Sequence, residues 1–220
     1  MNKKEIAQLC EKYEFWNKLE LNQKEQFIKE TVVEEYNKND IVYNPSRICK
    51  GMIKVIEGTL KVYMISEEGR EITLYKIKEG ELCTLTSSCI MDEIAFDIYI
   101  KAGEKSKILV TRAGNLKETI SKNLNLENYL YKQAASKFTE IMWTIEELLF
   151  TSVEKRLALF LLKEEQDKNV KLTHEEIAIE LGTAREVITR ALRKYEQDGI
   201  IKTHRGRIER ISRKELKDKI

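Results

Sequence analysis

Residues 172–192 read LTHEEIAIELGTAREVITRAL, and this stretch decides the fold. Its apolar spacing predicts two short amphipathic helices that meet at Gly182. Thr173 and Glu176 form a capping-box pattern at the start of the first helix, and we expect Thr183 to cap the second. Glycine enters a left-handed turn at lower cost than any other residue. The stretch therefore predicts a helix-turn-helix.

The second of these helices has two distinct faces. At roughly 100° per residue, its polar side chains fall within one arc of about 140°; they are Arg185, Glu186, Thr189, Arg190 and Arg193. Apolar side chains occupy most of the other side, namely Val187, Ile188, Ala191, Leu192 and Tyr195. Such a helix suits the base edges of a DNA major groove. The alternative is a helical hairpin whose charged face is merely solvated.

The charge of the chain is balanced overall but concentrated at its end. The 220 residues carry a formal charge of +2, with 35% charged residues. Residues 183–220 hold twelve Lys and Arg against six Asp and Glu, while the rest of the chain is mildly acidic. A basic tip of this kind favours contact with a polyanion.

The central part of the chain predicts a β-rich domain. After two helical pieces around Ile6–Tyr13 and Gln23–Val33, short β-branched and aromatic segments follow; they are 52–56, 59–64, 71–77, 96–101 and 107–111. Glu57-Gly58 and Glu68-Gly69 have turn composition. Many short strands at regular spacing predict a sandwich or barrel.

A long helix is predicted from about Leu126 to Phe150. Apolar residues recur along it at spacings of four and three, which is a heptad pattern; they are Tyr131, Ala135, Phe138, Met142, Ile145 and Leu149. A helix that packs on its own domain gives a similar pattern. The position between a β domain and a helix-turn-helix favours a dimer contact, which would place two reading helices in successive major grooves.

The segment after the helix-turn-helix predicts a small hairpin. Residues 199–203 and 207–211 are strand-like, and His204-Arg205-Gly206 joins them. A helix-turn-helix followed by a hairpin is a winged helix. His204, Arg205 and Arg207 would then point toward phosphates from the wing tip.

The order of these parts resembles the Crp/Fnr family of bacterial transcription regulators over nearly the whole chain. The matching pieces are 58–63, 69–71, 80–81, 156–158, 173–190 and 199–201, and the segment 184–190 is the most specific. The resemblance implies an α+β fold with a cyclic-nucleotide-binding-like β jelly roll, a dimerisation helix and a winged helix-turn-helix. We expect a sensor domain over 1–120, the dimerisation helix over 121–150 and a DNA-binding domain over 151–220.

The resemblance also assigns DNA-binding residues. Arg185, Glu186 and Arg190 match the family's principal base-contacting positions. Arginine pairs with guanine and glutamate accepts from cytosine, so a half-site such as GTGA is the expected target. The other predicted DNA-binding residues are Thr173, Thr183, Thr189, Arg193 and Arg205.

The sensor domain departs from the cyclic-nucleotide pattern of the family. Gly80 and Glu81 match the start of its phosphate cassette, with Glu81 at the position that meets a ribose hydroxyl. Phe96-Asp97 stands where the family has an arginine followed by serine or threonine, and no arginine lies between Arg70 and Arg112. Cyclic AMP is therefore disfavoured as effector.

The cysteines suggest a second type of signal. The predicted effector pocket comprises Gly80, Glu81, Leu82, Cys83, Cys89, Ile141 and Met142. Cys83 and Cys89 would sense oxidants or sulfur species there, or else simply pack in the core. An apolar small molecule near Ile141, Met142 and Trp143 is a further alternative. Residues 1–173 contain no histidine, and the N-terminal region has only Cys10, so we predict no metal, haem or iron–sulfur cofactor.

Two function classes compete with a DNA-binding regulator. An enzyme is disfavoured, because the chain has no Gly-rich phosphate loop, nucleophile elbow or HExxH pattern. A jelly-roll signalling module that binds a ligand, acts through protein partners and does not bind DNA is the more credible alternative. For a regulator the expected partners are double-stranded DNA with a palindromic operator, a second copy of the chain, and RNA polymerase. The absence of a long apolar run predicts a cytoplasmic protein without a membrane partner.

Overall fold

The computed structural model describes residues 3–46, 50–69, 71–83, 97–112, 116–163 and 169–220, apart from the side chains of residues 116 and 117. These residues form two compact units. The first comprises Met1–Tyr63 and Leu74–Ile141, and the second comprises Met64–Thr73 and Met142–Ile220. None of the helices in the described ranges is long and apolar enough to cross a membrane.

The first unit is built around two four-stranded sheets. One sheet has the strand order β1-β8-β3-β6 and the other β2-β7-β4-β5. The strands are β1 (Thr31–Tyr36), β2 (Ile41–Tyr43), β3 (Met52–Glu57), β4 (Leu60–Ile65), β5 (Glu71–Ile77), β6 (Leu82–Cys83), β7 (Tyr99–Ala102) and β8 (Ser106–Thr111). Apolar side chains from both sheets share one buried core, which makes the unit a β sandwich. The predicted jelly-roll type of domain is thereby confirmed.

The strands and turns follow the sequence pattern closely. Thr111 of β8 pairs with Met52 of β3 on one side and with Thr31 of β1 on the other. Gly58 lies in the turn between β3 and β4 with a φ of 82°. A Cβ at Gly58 would lie 2.5 Å from the carbonyl oxygen of Lys105, so this turn requires glycine for space as well as for conformation.

The N-terminal region forms two helices that cover the first sheet. Helix α1 spans Lys3–Cys10 and helix α2 spans Leu21–Glu30. The predicted helical piece Gln23–Val33 was wrong at its end, since residues from Thr31 onward form strand β1. β-branched residues favour the strand here, and the Thr31 hydroxyl meets that of Thr111 at 2.9 Å.

The long helix α4 spans Leu124–Phe150, as predicted from Leu126 onward; the short helix α3 (Leu116–Ser121) precedes it. Its N-terminal half buries Leu126 and Leu130 in the core of the first unit. By contrast, all six residues of the predicted heptad pattern are exposed. The pattern therefore does not mark the face that packs on the helix's own domain.

The C-terminal part of the second unit is a helical domain with a small sheet. Its elements are α5 (Val153–Lys163), β9 (Asn169–Val170), α6 (His174–Glu180), α7 (Arg185–Gln197), β10 (Ile201–His204), β11 (Arg207–Arg210) and α8 (Arg213–Lys217). The hairpin β10–β11 is the predicted wing, and β9 adds to it through the antiparallel pair Val170–Ile208. Apolar residues from the helices and the hairpin share one core. The domain is a winged helix-turn-helix.

Candidate nucleic-acid interface

The first helix of the helix-turn-helix begins with the predicted capping box. The Glu176 amide donates to the Thr173 hydroxyl at 3.2 Å, and the Thr173 amide donates to the Glu176 carboxylate at 2.9 Å. Both residues thus satisfy amides that would otherwise lack a partner at a helix start. The start of helix α6 is therefore determined by the local sequence from Thr173 to Glu176.

The turn between α6 and α7 is a glycine C-cap. Gly182 has a φ of 60°, and the amides of Gly182 and Thr183 donate to carbonyls of the last turn of α6, those of Ile179 and Ala178. This is the Schellman arrangement. The expectation that Thr183 caps α7 was wrong, because the Thr183 amide closes α6 and Ala184 becomes the N-cap, without a side-chain hydrogen bond.

Helix α7 presents the predicted polar face. Its buried side chains are Ile188, Ala191, Leu192 and Tyr195, and its exposed polar ones include Arg185, Glu186, Arg190 and Arg193. Two turns of helix thus carry three guanidiniums and one carboxylate above an apolar anchor. This arrangement offers both donors and an acceptor to base edges.

Thr189 differs from its neighbours on this face, because it is half-buried and has a protein partner. Its hydroxyl lies 3.0 Å from Nδ1 of His174, the first residue of α6. Burial, together with the charges of Arg185 and Arg193, lowers the pKa of His174 below its ordinary value. The lowered pKa favours the neutral imidazole, and through its hydrogen bond to Thr189 His174 connects the two helices. The sequence analysis did not single out His174. The available signal was that the chain has only two histidines and that this one stands at the predicted start of a helix.

Basic grooves lie on both sides of α7. One, of about 430 Å³, brings Arg185 together with the wing and the start of α6; its lining residues are Leu172, Thr173, His174, Glu175, Arg185, His204, Arg205, Gly206, Arg207 and Ile208. The other, of about 500 Å³, is lined by Glu154, Val187, Arg190, Ala191, Arg193, Lys194 and Gln197. A helix in a major groove has a phosphate backbone on each side, so both grooves suit phosphates.

Buried arginines hold the helix-turn-helix and the wing in place. Arg156 of α5 donates to the carbonyl of Leu181 at 2.6 Å, which satisfies the last turn of α6. Arg210 of β11 donates to the carbonyl of Leu161 at 2.9 Å. The Thr203 amide donates to the Glu196 carboxylate at 2.7 Å and so joins the wing to the end of α7. These contacts hold α6, α7 and the wing in fixed positions around the exposed arginines.

The predicted effector-pocket residues have a different setting. Lys137 of α4 is only 5% exposed, and its ammonium lies 3.1 Å from the Glu81 carboxylate and 2.8 Å from that of Glu140. Burial alone would lower the pKa of Lys137, but the hydrogen bonds that its ammonium donates to Glu140 and Glu81 raise it above its ordinary value. Glu81 thus already forms an ion pair with Lys137. The sequence analysis did not consider Lys137.

The remaining pocket residues differ in their exposure. Leu82 and Cys83 are buried, and Ile141 packs on the sandwich core, while Met142 is 45% exposed. Gly80 occupies a turn with a φ of 84°. Cys89 and Phe96 lie outside the described residues, as does Arg70. The Cys83–Cys89 hypothesis and the departure at Phe96-Asp97 therefore stay predictions.

Known proteins share both the fold and the C-terminal domain. The Crp-like helix-turn-helix domain family matches residues 155–219. The crystal structure of a Crp/Fnr-family protein from Eubacterium rectale ATCC 33656 is 35% identical, with a TM-score of 0.89, and covers 95% of this chain and 98% of that one. A transcriptional regulator from Thermus thermophilus, SdrP, is 25% identical over 75% of this chain and 81% of its own length. The global nitrogen regulator of Nostoc sp. PCC 7120 is 22% identical over 80% and 84%.

The chain belongs to the Crp/Fnr family of DNA-binding transcription regulators. The predicted fold class and family resemblance are thereby confirmed. The relatives are regulators, which supports the regulator class over the enzyme class.

Proposed function

We propose that this protein is a homodimeric, sequence-specific transcription regulator whose α7 reads base edges in the major groove. Residues 1–120 sense a signal, residues 121–150 pair two protomers, and residues 151–220 bind DNA. The protein acts in the cytoplasm as a regulator rather than an enzyme, and RNA polymerase is its further partner. The observation that carries the proposal is the exposed face of α7 between two basic grooves.

Base recognition is assigned to three exposed side chains. Arg185 and Arg190 pair with guanines, and Glu186 accepts from a cytosine amino group, each contact worth about 1–3 kcal/mol of discrimination. Thr173, Thr183, Thr189, Arg193 and Arg205 support this contact from the helices and the wing. Half-sites with a GTGA-like core are the expected targets.

The signal is proposed to be a small molecule or a redox change, and cyclic AMP is disfavoured. The Glu81 carboxylate, which would meet a ribose hydroxyl, instead pairs with Lys137. The sensing pair Cys83 and Cys89 remains one candidate, although Cys83 is fully buried in the sandwich core. Oxidant-dependent DNA binding that survives replacement of either cysteine would exclude that candidate.

Selection of bound sequences from a random DNA pool tests the proposal. The purified protein is expected to return two-fold symmetric sites with guanines in each half, and Arg185→Glu and Arg190→Glu are expected to lose at least about tenfold in affinity for them. Lys217→Glu is the matched control, because this exposed lysine of α8 gives the same change in net charge and lines neither of the two grooves.

The outcome separates the proposal from its alternative. A signalling module that acts only through protein partners would return no enriched sequence, and its binding to DNA would fall equally in all three variants. Enrichment of half-sites without guanines would retain DNA binding but overturn the roles of Arg185 and Arg190.

A further inference from the structure

A hydrogen bond between His174 and Thr189 joins helix α6 to the polar face of α7. Nδ1 of the imidazole lies 3.0 Å from the Thr189 hydroxyl oxygen. A hydroxyl can donate or accept, whereas a ring nitrogen of a neutral imidazole donates only if it carries the proton and otherwise accepts. The position of one proton on His174 therefore determines what the Thr189 hydroxyl can offer to another group.

The His174 ring also borders the groove between α7 and the wing. This groove of about 430 Å³ is lined by His174 together with Arg185, Arg205 and Arg207. Because Nδ1 is engaged by Thr189, a ligand in the groove would meet the ring through Nε2. The arginines favour an anion there, which for a DNA duplex is a backbone phosphate.

A phosphate next to Nε2 fixes the tautomer of His174. Phosphate oxygens accept hydrogen bonds, so they are met by Nε2–H. Burial, together with the charges of Arg185 and Arg193, lowers the pKa of His174, which favours the neutral ring with a single N–H. With that hydrogen on Nε2, Nδ1 must accept from the Thr189 hydroxyl. The hydroxyl oxygen then has only acceptor capacity left.

Thr189 lies among the side chains that face the base edges in the proposed complex. It is half-buried on the same face of α7 as Arg185, Glu186 and Arg190. In the major groove each base pair presents one amino donor, on adenine or cytosine, and the opposite base presents an acceptor oxygen. A hydroxyl that can only accept is complementary to the amino group and is repelled by O6 of guanine and O4 of thymine. Thr189 would thus distinguish which strand carries the amino base.

We propose that His174 is a positioning residue for base recognition: its Nε2–H donates to a DNA phosphate, its Nδ1 accepts from Thr189, and Thr189 accepts a hydrogen bond from adenine or cytosine. This inference rests on the proposed binding of α7 to the major groove and deepens it by naming how one contact becomes selective. A phosphate contact, which carries no sequence information by itself, is converted into a base preference.

Competition between variants of a selected half-site tests the preference. Each base pair is replaced in turn, and relative affinities are measured at about pH 8, well above the ordinary pKa of histidine. At the pair where Thr189→Val loses discrimination, the wild type should prefer adenine and cytosine over guanine and thymine on one strand by roughly five- to tenfold. Thr189→Ser keeps the hydroxyl and should keep the preference, so it is the matched control.

Two replacements of His174 test its role. His174→Phe removes the acceptor, so the Thr189 hydroxyl becomes able to donate as well as accept, and the preference should fall to less than about twofold. His174→Lys presents only donors, so Thr189 would accept from the lysine and donate to the base. The preference should then reverse toward guanine and thymine. Because ratios between sites are compared, a general change in affinity cancels.

Nitrogen NMR spectroscopy of the imidazole gives a readout that needs no functional variant. In the complex with selected DNA at the same pH, His174 is expected to carry its hydrogen on Nε2, and the chemical shifts of the two ring nitrogens distinguish this tautomer from the other. The chain has two histidines, so the signal that disappears in His174→Phe identifies that of His174.

The two proposals fail in different ways. If selection returns two-fold symmetric sites but His174 carries its hydrogen on Nδ1, or His174→Phe keeps the full preference, or Thr189→Val changes discrimination at no base pair, the role of His174 is overturned and DNA recognition by α7 stands. If selection returns no enriched sequence, both are overturned.

Discussion

The ionisation of His174 is coupled to the proposed DNA contact. It lines the groove between the wing and α7, and Arg185 and Arg193 help to lower its pKa in the free protein. Phosphates in that groove would offset those charges and return the pKa of His174 toward its ordinary value. Binding would then take up a proton, so affinity should increase as the pH falls.

The expected size of this effect is modest and measurable. Between about pH 7.5 and 6, affinity for the selected site should increase roughly two- to fourfold in the wild type, measured by fluorescence anisotropy at constant ionic strength. His174→Gln keeps a polar partner for Thr189 and should lose most of the increase. An unchanged slope in His174→Gln would refute the assignment.

Lys137 shows what could not be predicted at the scale of residues. The polar face of α7 follows from helical periodicity alone, because exposure there depends on local sequence. Lys137, however, is buried by strands that are distant in sequence, and its partner Glu81 is 56 residues away. No local pattern indicates which lysine will be paired in a core rather than solvated.

At the scale of elements, the turn glycines also combine a feature that local sequence predicts with one that depends on distant residues. Gly58 was correctly predicted in a turn from the Glu-Gly pair, yet its second requirement is the nearby backbone of Lys105. Gly80 has a similar φ of 84°, but a Cβ there would have none of the described residues within 4 Å. A substitution at Gly80 therefore tests conformational strain alone, whereas one at Gly58 tests strain together with a steric clash.

Gly58→Ala is expected to lower the free energy of unfolding by about 3–4 kcal/mol, and Gly80→Ala by about 1–2 kcal/mol. The larger loss arises because the new methyl group meets a backbone oxygen at 2.5 Å, which cannot move without disturbing β8. Urea denaturation followed by tryptophan fluorescence measures both, since Trp16 lies in the same unit. Equal losses of unfolding free energy in the two variants would show that the positive φ alone explains the glycine at position 58.

Elements with a strong period were predicted well, and short or paired ones were not. The long helix and the strands from β3 to β5 have clear spacing, so local sequence suffices for them. Strand β9 has only two residues and exists because Ile208 and Glu209 offer it a partner. Strand β1 begins within the piece that the sequence pattern predicted to be helical. Its pairing with β8 stabilises the extended conformation there.

At the scale of the whole molecule, the proposed dimer requires a fixed spacing of the DNA half-sites. Two helices related by a two-fold axis reach successive major grooves about 34 Å apart on one side of the duplex. Helix α4 would hold the protomers in that relation, so that DNA binding depends on the distance and phase of the half-sites. A monomer, or two independently tethered domains, would tolerate a change in the distance between the half-sites or in their phase.

Insertion of five base pairs at the centre of a selected palindrome should therefore reduce affinity roughly 100-fold, toward that of a single half-site. Five pairs rotate one half-site by about half a helical turn, so the second recognition helix would face the outside of the duplex. Substitution of the five central pairs without a change of length is the control, and it should cost much less unless the site must bend. Equal affinity for the original and the lengthened site, measured at one salt concentration, would contradict a rigid two-fold reader.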